Sequence, residues 1–95
     1  MAELLDADAV AEGVAGLDGW TGDPSGIGRT ARLPSFPAAI GVVDRVAEIA
    51  EEMDHHPDID IRYTKVTMTL STHDAGGVTQ SDLKLAERIE GVSSR

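Results

Sequence analysis

Two short segments hold every histidine of this chain: Glu51-Glu52-Met53-Asp54-His55-His56-Pro57 and Leu70-Ser71-Thr72-His73-Asp74. The unperturbed histidine pKa lies nearest neutrality among side chains, so clustered imidazoles can give and take protons at working pH. Three kinds of chemistry fit. Three imidazoles can hold a zinc ion and leave a position open, although adjacent His55 and His56 are awkward ligands because neighbouring side chains tend to diverge. Acid–base catalysis without metal needs rings held by carboxylates. Glu51, Asp54, Asp58 and Asp74 lie close by in sequence and would favour the protonated ring. The third reading is structural, with the rings capping or hydrogen-bonding locally; the clustering of all three speaks against it.

The elements that must position these rings follow from periodicity. From about Pro37 to Asp54 the residues Ile40, Val42, Val43, Val46, Ala47, Ile49, Ala50 and Met53 cover about half a helix circumference. Two seams can be read, Ile40/Val43/Ala47/Ala50 and Val42/Val46/Ile49/Met53. The second has helix–helix contact spacing, so either one seam covers a sheet and the other a partner subunit, or both are buried within the monomer. Pro57 fixes the end of this helix and pushes His56 towards extended backbone. Ile59 to Tyr63 then alternates as a strand, with Ile59, Ile61 and Tyr63 on one face. Val66 to Thr72 alternates as the next, and only Thr64-Lys65 separates the two, as in a tight hairpin. The entrance of the first strand therefore lies beside the exit of the second, which brings His55, His56 and His73 to one end of the sheet.

The flanking segments complete the pattern. Asp6 can cap a first helix, with Leu5 and Val10 as its hydrophobic staple; Gly13 and Gly16 make that helix depend on tertiary packing. Asp18-Gly19 ends it. Trp20-Thr21 and Arg29 to Leu33 read as strands joined through a loose tip, Gly22 to Gly28; no Gly-Lys-Ser/Thr follows those glycines, so a phosphate loop is not indicated. Thr79 can cap the last helix, with Val78 and Leu83 as its staple and Leu85, Ile89 and Val92 as its packing stripe. The predicted order is α-β-β-α-β-β-α, an α+β domain whose antiparallel sheet carries its helices on one face.

Composition bounds the rest. Ninety-five residues read as one domain spanning 1–95. There is no cysteine, hence no disulfide, thiolate nucleophile or cysteine metal site. A net charge of −9 argues against direct nucleic-acid binding, which needs a basic face. No apolar run reaches membrane-spanning length and Met1-Ala2-Glu3-Leu4 lacks the basic start of a signal peptide, so a cytoplasmic location is expected.

The set Glu51-x-x-x-His55-His56-Pro57, Tyr63, Leu70-Ser71-Thr72-His73 and Asp82 resembles the pterin-4a-carbinolamine dehydratase family. The resemblance covers Phe36 to Glu90 and, earlier, rests mainly on Gly19-Trp20; Ile59 stands where members often carry an aromatic residue. It implies a four-stranded antiparallel sheet with three helices packed on one face. It implies the loss of water from a 4a-hydroxytetrahydropterin to give the quinonoid dihydropterin, in tetrahydrobiopterin recycling for aromatic amino acid hydroxylases, with no metal or organic cofactor. The family's pterin site falls on His55, His56, Pro57, Thr72, His73, Asp74 and Ala75. His55 and His73 become the candidates for the two proton transfers, with His56 holding the pterin. Glu51 or Asp54 would orient a ring, and backbone groups of Thr72 to Ala75 would pair with the pterin amide edge. A homodimer or homotetramer is expected. Some relatives of this fold instead stabilise a transcription factor or assist assembly of a carbon-fixing enzyme, so a non-catalytic interaction module is the alternative.

Overall fold

A computed structural model describes residues 3–93. Met1 and Ala2, and the last two residues of the predicted 1–95 span, lie outside the described residues. Helix α1 (Ala7–Ala15) begins where Asp6 accepts a hydrogen bond from the Ala9 N–H at 2.9 Å, the N-cap read from the sequence. The strands β1 (Thr21–Asp23) and β2 (Gly26–Arg32) follow. Their hairpin is tighter than expected: the segment predicted as a loose tip is mostly strand, because Gly22 pairs with Ile27 and Gly28 with Thr21. Only Pro24-Ser25 turns, held by the Asp23 carboxylate, which accepts from the Ser25 N–H at 2.8 Å and from its hydroxyl.

Helix α2 (Phe36–Met53) starts at the Ser35 cap and ends at Asp54. Strands β3 (Asp58–Arg62) and β4 (Lys65–Leu70) form the second hairpin, and α3 (Gln80–Ser93) closes the chain. The sheet is antiparallel with order β1-β2-β4-β3. The β3–β4 turn is Tyr63-Thr64, one residue earlier than predicted. Tyr63 has a left-handed backbone (φ 55°) and lies exposed, off the strand face it was assigned to. Val66, Met68 and Leu70 of β4 and Ile27 and Ala31 of β2 are buried on the helix-covered face, while Thr30 and Thr67 share a hydrogen bond at 2.9 Å on the other. The positions of the sheet and α3 decide which side of α2 joins this core: Ala39, Val42, Val46 and Ala50, at three- and four-residue spacing, are buried, with Ile49 and Met53 packed against them. The seam through Val42 is thus the domain's own. Of the other seam, Ala50 is buried and Val43 packs against the core, so the strip left outside is Phe36, 47% exposed, with half-buried Ile40 and exposed Ala47.

Candidate active site

The α2 C-terminus reverses direction at Asp54, which takes the left-handed conformation (φ 51°, ψ 44°) usually left to glycine. The Asp54 N–H donates to the carbonyls of Ala50 and Glu51, and the His55 N–H donates to that of Ala50 at 3.0 Å. The helix therefore ends before Pro57, and its own capping bonds aim His55 and His56 away from it. Beyond β4 the chain makes a second tight reversal. Thr72 pairs with Gly77, and the Thr72 carbonyl accepts from the N–H groups of Ala75 and Gly76 at 3.1 and 2.9 Å. Gly76 has φ +82°, a conformation that side chains disfavour. A Cβ on Gly77 would lie 2.5 Å from the Pro24 carbonyl oxygen, so glycine lets this turn seat against the first hairpin.

Between the two reversals lies a cleft of about 380 Å³, lined by Asp54, His55, His56, Pro57, Asp58, Ser71, Thr72, His73 and Asp74. All three histidines reach it, as the hairpin argument predicts. Of the other residues named from the sequence, Pro57, Thr72, Asp74 and Asp54 line it too. Ala75 does not; its N–H donates to the Thr72 carbonyl. Glu51 stands outside, its carboxylate accepting a hydrogen bond from His56 Nε2 at 2.9 Å. Among the described residues no group of three His, Cys, Asp or Glu is placed to hold one metal ion, so the zinc reading finds no ligand set there.

The ring that is held most firmly is His55, and its partner is neither Glu51 nor Asp54. His55 Nε2 lies 2.6 Å from Asp82 Oδ1, and the Asp82 side chain is fully buried. The other oxygen, Oδ2, accepts from the Thr72 hydroxyl at 2.8 Å and from the Thr79 N–H at 2.9 Å. With the Thr72 proton committed to Asp82, the 2.8 Å contact between the Thr79 and Thr72 hydroxyls runs from Thr79 to Thr72. A buried carboxylate needs such donors, since each unsatisfied lone pair would carry a desolvation cost. The arrangement is a helix cap put to a second use. Thr79 caps α3, its hydroxyl accepting from the Ser81 N–H at 3.2 Å, and Asp82 three residues on reaches back to the Thr79 N–H. The signal was present in the spacing Thr79-x-x-Asp82 and in the aspartate that closes the quoted motif. Neither says that the second carboxylate oxygen meets a histidine from twenty-seven residues upstream.

A carboxylate only accepts hydrogen bonds, so a neutral His55 carries its proton on Nε2 and leaves Nδ1 as a lone pair. His56 is held in the same sense by Glu51. His73 is exposed and has no carboxylate partner among the described residues. Two rings with carboxylate partners and one without, around one cleft, suit paired proton transfer.

Residues 3–92 match the sequence model of a family described as pterin 4 alpha carbinolamine dehydratase. A protein of Nocardia farcinica, named "Putative pterin-4-alpha-carbinolamine dehydratase", is 53% identical over 91 residues, covering 96% of each chain. One of the same name from Roseiflexus castenholzii is 51% identical over 97% of this chain and 99% of its own. The crystal structure of a transcriptional coactivator/pterin dehydratase from Brucella melitensis superposes with a TM-score of 0.91 at 32% identity, covering 96% of this chain and 99% of that one. A pterin dehydratase-like RuBisCO assembly factor of the alpha-carboxysome shares the fold, with a TM-score of 0.64 at 23% identity over 78% of this chain and 86% of its own. The agreement runs nearly end to end in sequence and in fold, and the chain belongs to the pterin 4 alpha carbinolamine dehydratase family.

Proposed function

We propose that this chain, as a single domain, removes water from a 4a-hydroxytetrahydropterin to give the quinonoid dihydropterin, with His55, His56 and His73 as its catalytic groups. The observation that carries the reading is the fully buried Asp82 at 2.6 Å from His55, in a cleft that His56 and His73 also line. The elimination breaks the C4a–OH bond, removes the proton of the adjacent ring nitrogen, and forms a double bond between the two. No electrons leave or enter, so the step calls for no redox cofactor. His55 Nδ1 is the base: Asp82 fixes the tautomer and stabilises the imidazolium that forms. His73, the exposed ring, protonates the departing hydroxyl, which leaves as water. His56, steadied by Glu51, holds the pterin. The Thr72 backbone N–H and carbonyl are taken up by the turn, and so is the Ala75 N–H. The N–H groups of His73 and Asp74 take no part in the turn's bonds and are the ones offered to the pterin amide edge.

The same reading assigns the chain to tetrahydrobiopterin recycling in the cytoplasm. Among the described residues no helix is long and apolar enough to cross a membrane. The strip Phe36, Ile40 and Ala47 supports a homodimer or homotetramer, which the solution mass at micromolar concentration tests; a monomer would reject it.

The deciding experiment is a turnover assay with a 4a-hydroxytetrahydropterin on wild type and His73→Ala. An exposed substitution should change stability by no more than about 0.5 kcal/mol. Loss of a positioned proton donor should lower turnover roughly a hundredfold or more. Full activity in His73→Ala would move the acid elsewhere. A wild type without any dehydration would reject the enzyme and leave an interaction module.

A further inference from the structure

The walls of the cleft carry charge of one sign. Asp54, Asp58 and Asp74 line it beside the three histidines, and no lysine or arginine does. Behind the rings stand two more carboxylates, Asp82 on His55 and Glu51 on His56. Five carboxylates therefore face three imidazoles, and the site stays net anionic even with every ring protonated. Asp54, Asp58 and Asp74 have no cationic partner among the described residues. The nearest cations along the hairpin sit at its opposite end. Lys65 pairs in register with Arg32 on one side and Arg62 on the other, making a basic row across β2, β4 and β3. Asp58 opens β3 and Arg62 closes it, so at about 3.3 Å per residue the row lies roughly 13 Å from the cleft wall. Arg62 is moreover paired with Asp60 at 3.3 Å.

We infer that Asp54, Asp58 and Asp74 set the substrate class of this site: they admit 4a-hydroxytetrahydropterins whose C6 side chain is uncharged and turn away those bearing a phosphate or a carboxylate. This rests on the dehydratase reading above. The pterin head is neutral and its polar edge can meet backbone N–H groups, so the wall charges leave it unaffected. A doubly charged phosphate on the side chain meets three like charges at its rim, no lining lysine or arginine, and only the protonated His73 as a positive charge. At about 10 Å and low ionic strength each carboxylate weakens the phosphorylated substrate about threefold; with the protonated His73 offsetting one of them, the balance disfavours it about tenfold.

The test compares two 4a-hydroxytetrahydropterins that differ only in a terminal phosphate on the C6 side chain, reading the ratio of their kcat/KM values. At about 10 mM salt, where charges act over ~30 Å, wild type should prefer the uncharged substrate about tenfold. At 1 M salt, where the range is ~3 Å, the ratio should fall towards one. Asp58→Asn should narrow the low-salt ratio about threefold, and Asp58→Asn with Asp74→Asn should narrow it further; the ratio cancels any change common to both substrates. Equal turnover at low salt would overturn the inference. So would a preference that neither salt nor Asp58→Asn changes, because that would be discrimination by size. Turnover of neither substrate would instead reject the dehydratase reading itself, and the inference with it.

Discussion

Two histidines of the cleft are each paired with a carboxylate behind it, in opposite surroundings. At the α3 N-terminus, His55 meets Asp82 with the ring 15% and the carboxylate 0% exposed. At the α2 C-terminus, His56 meets Glu51 with side chains 60% and 82% exposed. The distances differ little, 2.6 against 2.9 Å. Their consequences should differ greatly. Asp82 cannot exchange its protein donors for water, and it ties together β4's exit, the α3 cap and the His55 ring. Glu51 can, and water and salt compete for its partner. Distance alone therefore says little about what an imidazole–carboxylate pair does; the number of further bonds on the carboxylate and its access to water say more.

Breaking the buried pair should have the largest effect. Asp82→Ala removes the acceptor of three donors and leaves the Thr79 N–H and Thr72 hydroxyl without it, which should cost about 3 kcal/mol of stability in a denaturant titration. Dehydration should fall with it, because His55 loses the group that fixes its tautomer. Asp82→Asn sharpens the point: it keeps the shape, and His55 can still be bonded in the wrong tautomer. A variant with near-native stability and sharply lowered turnover would show that positioning of the ring is separate from capping of the helix. Full turnover in Asp82→Asn would refute the positioning role.

The exposed pair should yield much less. Glu51→Gln should change stability by under about 0.5 kcal/mol, and the difference should vanish in 1 M salt. Its effect should be read as a modest rise in KM, since His56 is held less firmly and the proton transfers are left intact. A loss of stability as large as that of Asp82→Ala would show that exposure is a poor guide here.

The smallest effect lies away from the cleft and checks the same rule at a turn. Asp23 is fully exposed, and its carboxyl is held below its ordinary value of 3.8 by hydrogen bonds from the Ser25 hydroxyl and N–H. A lowered folded-state pKa contributes stability above the unfolded value, and this is lost as pH falls through the folded one. Asp23→Asn should therefore lower the melting temperature slightly at neutral pH. The gap from wild type should close as the pH drops below 3.8; a gap that persists in acid would mean the turn depends on shape and not on charge.

Much of this molecule is decided locally, and so can be read from the chain. The caps at Asp6 and Thr79 follow from an oxygen-bearing side chain beside an apolar run, because helix ends must satisfy their free N–H groups nearby. The alternation of Val66, Met68 and Leu70 sets the buried face of β4 because strand side chains point to opposite sides. The short β3–β4 connection alone requires His55, His56 and His73 to share one end of the sheet. What local rules could not reach were contacts made across the fold. The first hairpin zips through its glycines because β2 finds a full partner in β4, which lies far along the chain. Which seam of α2 is core depends on where the sheet and α3 lie, and periodicity alone is symmetric between them. Asp82 meets His55 only because α3 packs beside α2's end, so the bond that best defines the cleft is a product of packing between segments that sequence spacing leaves independent.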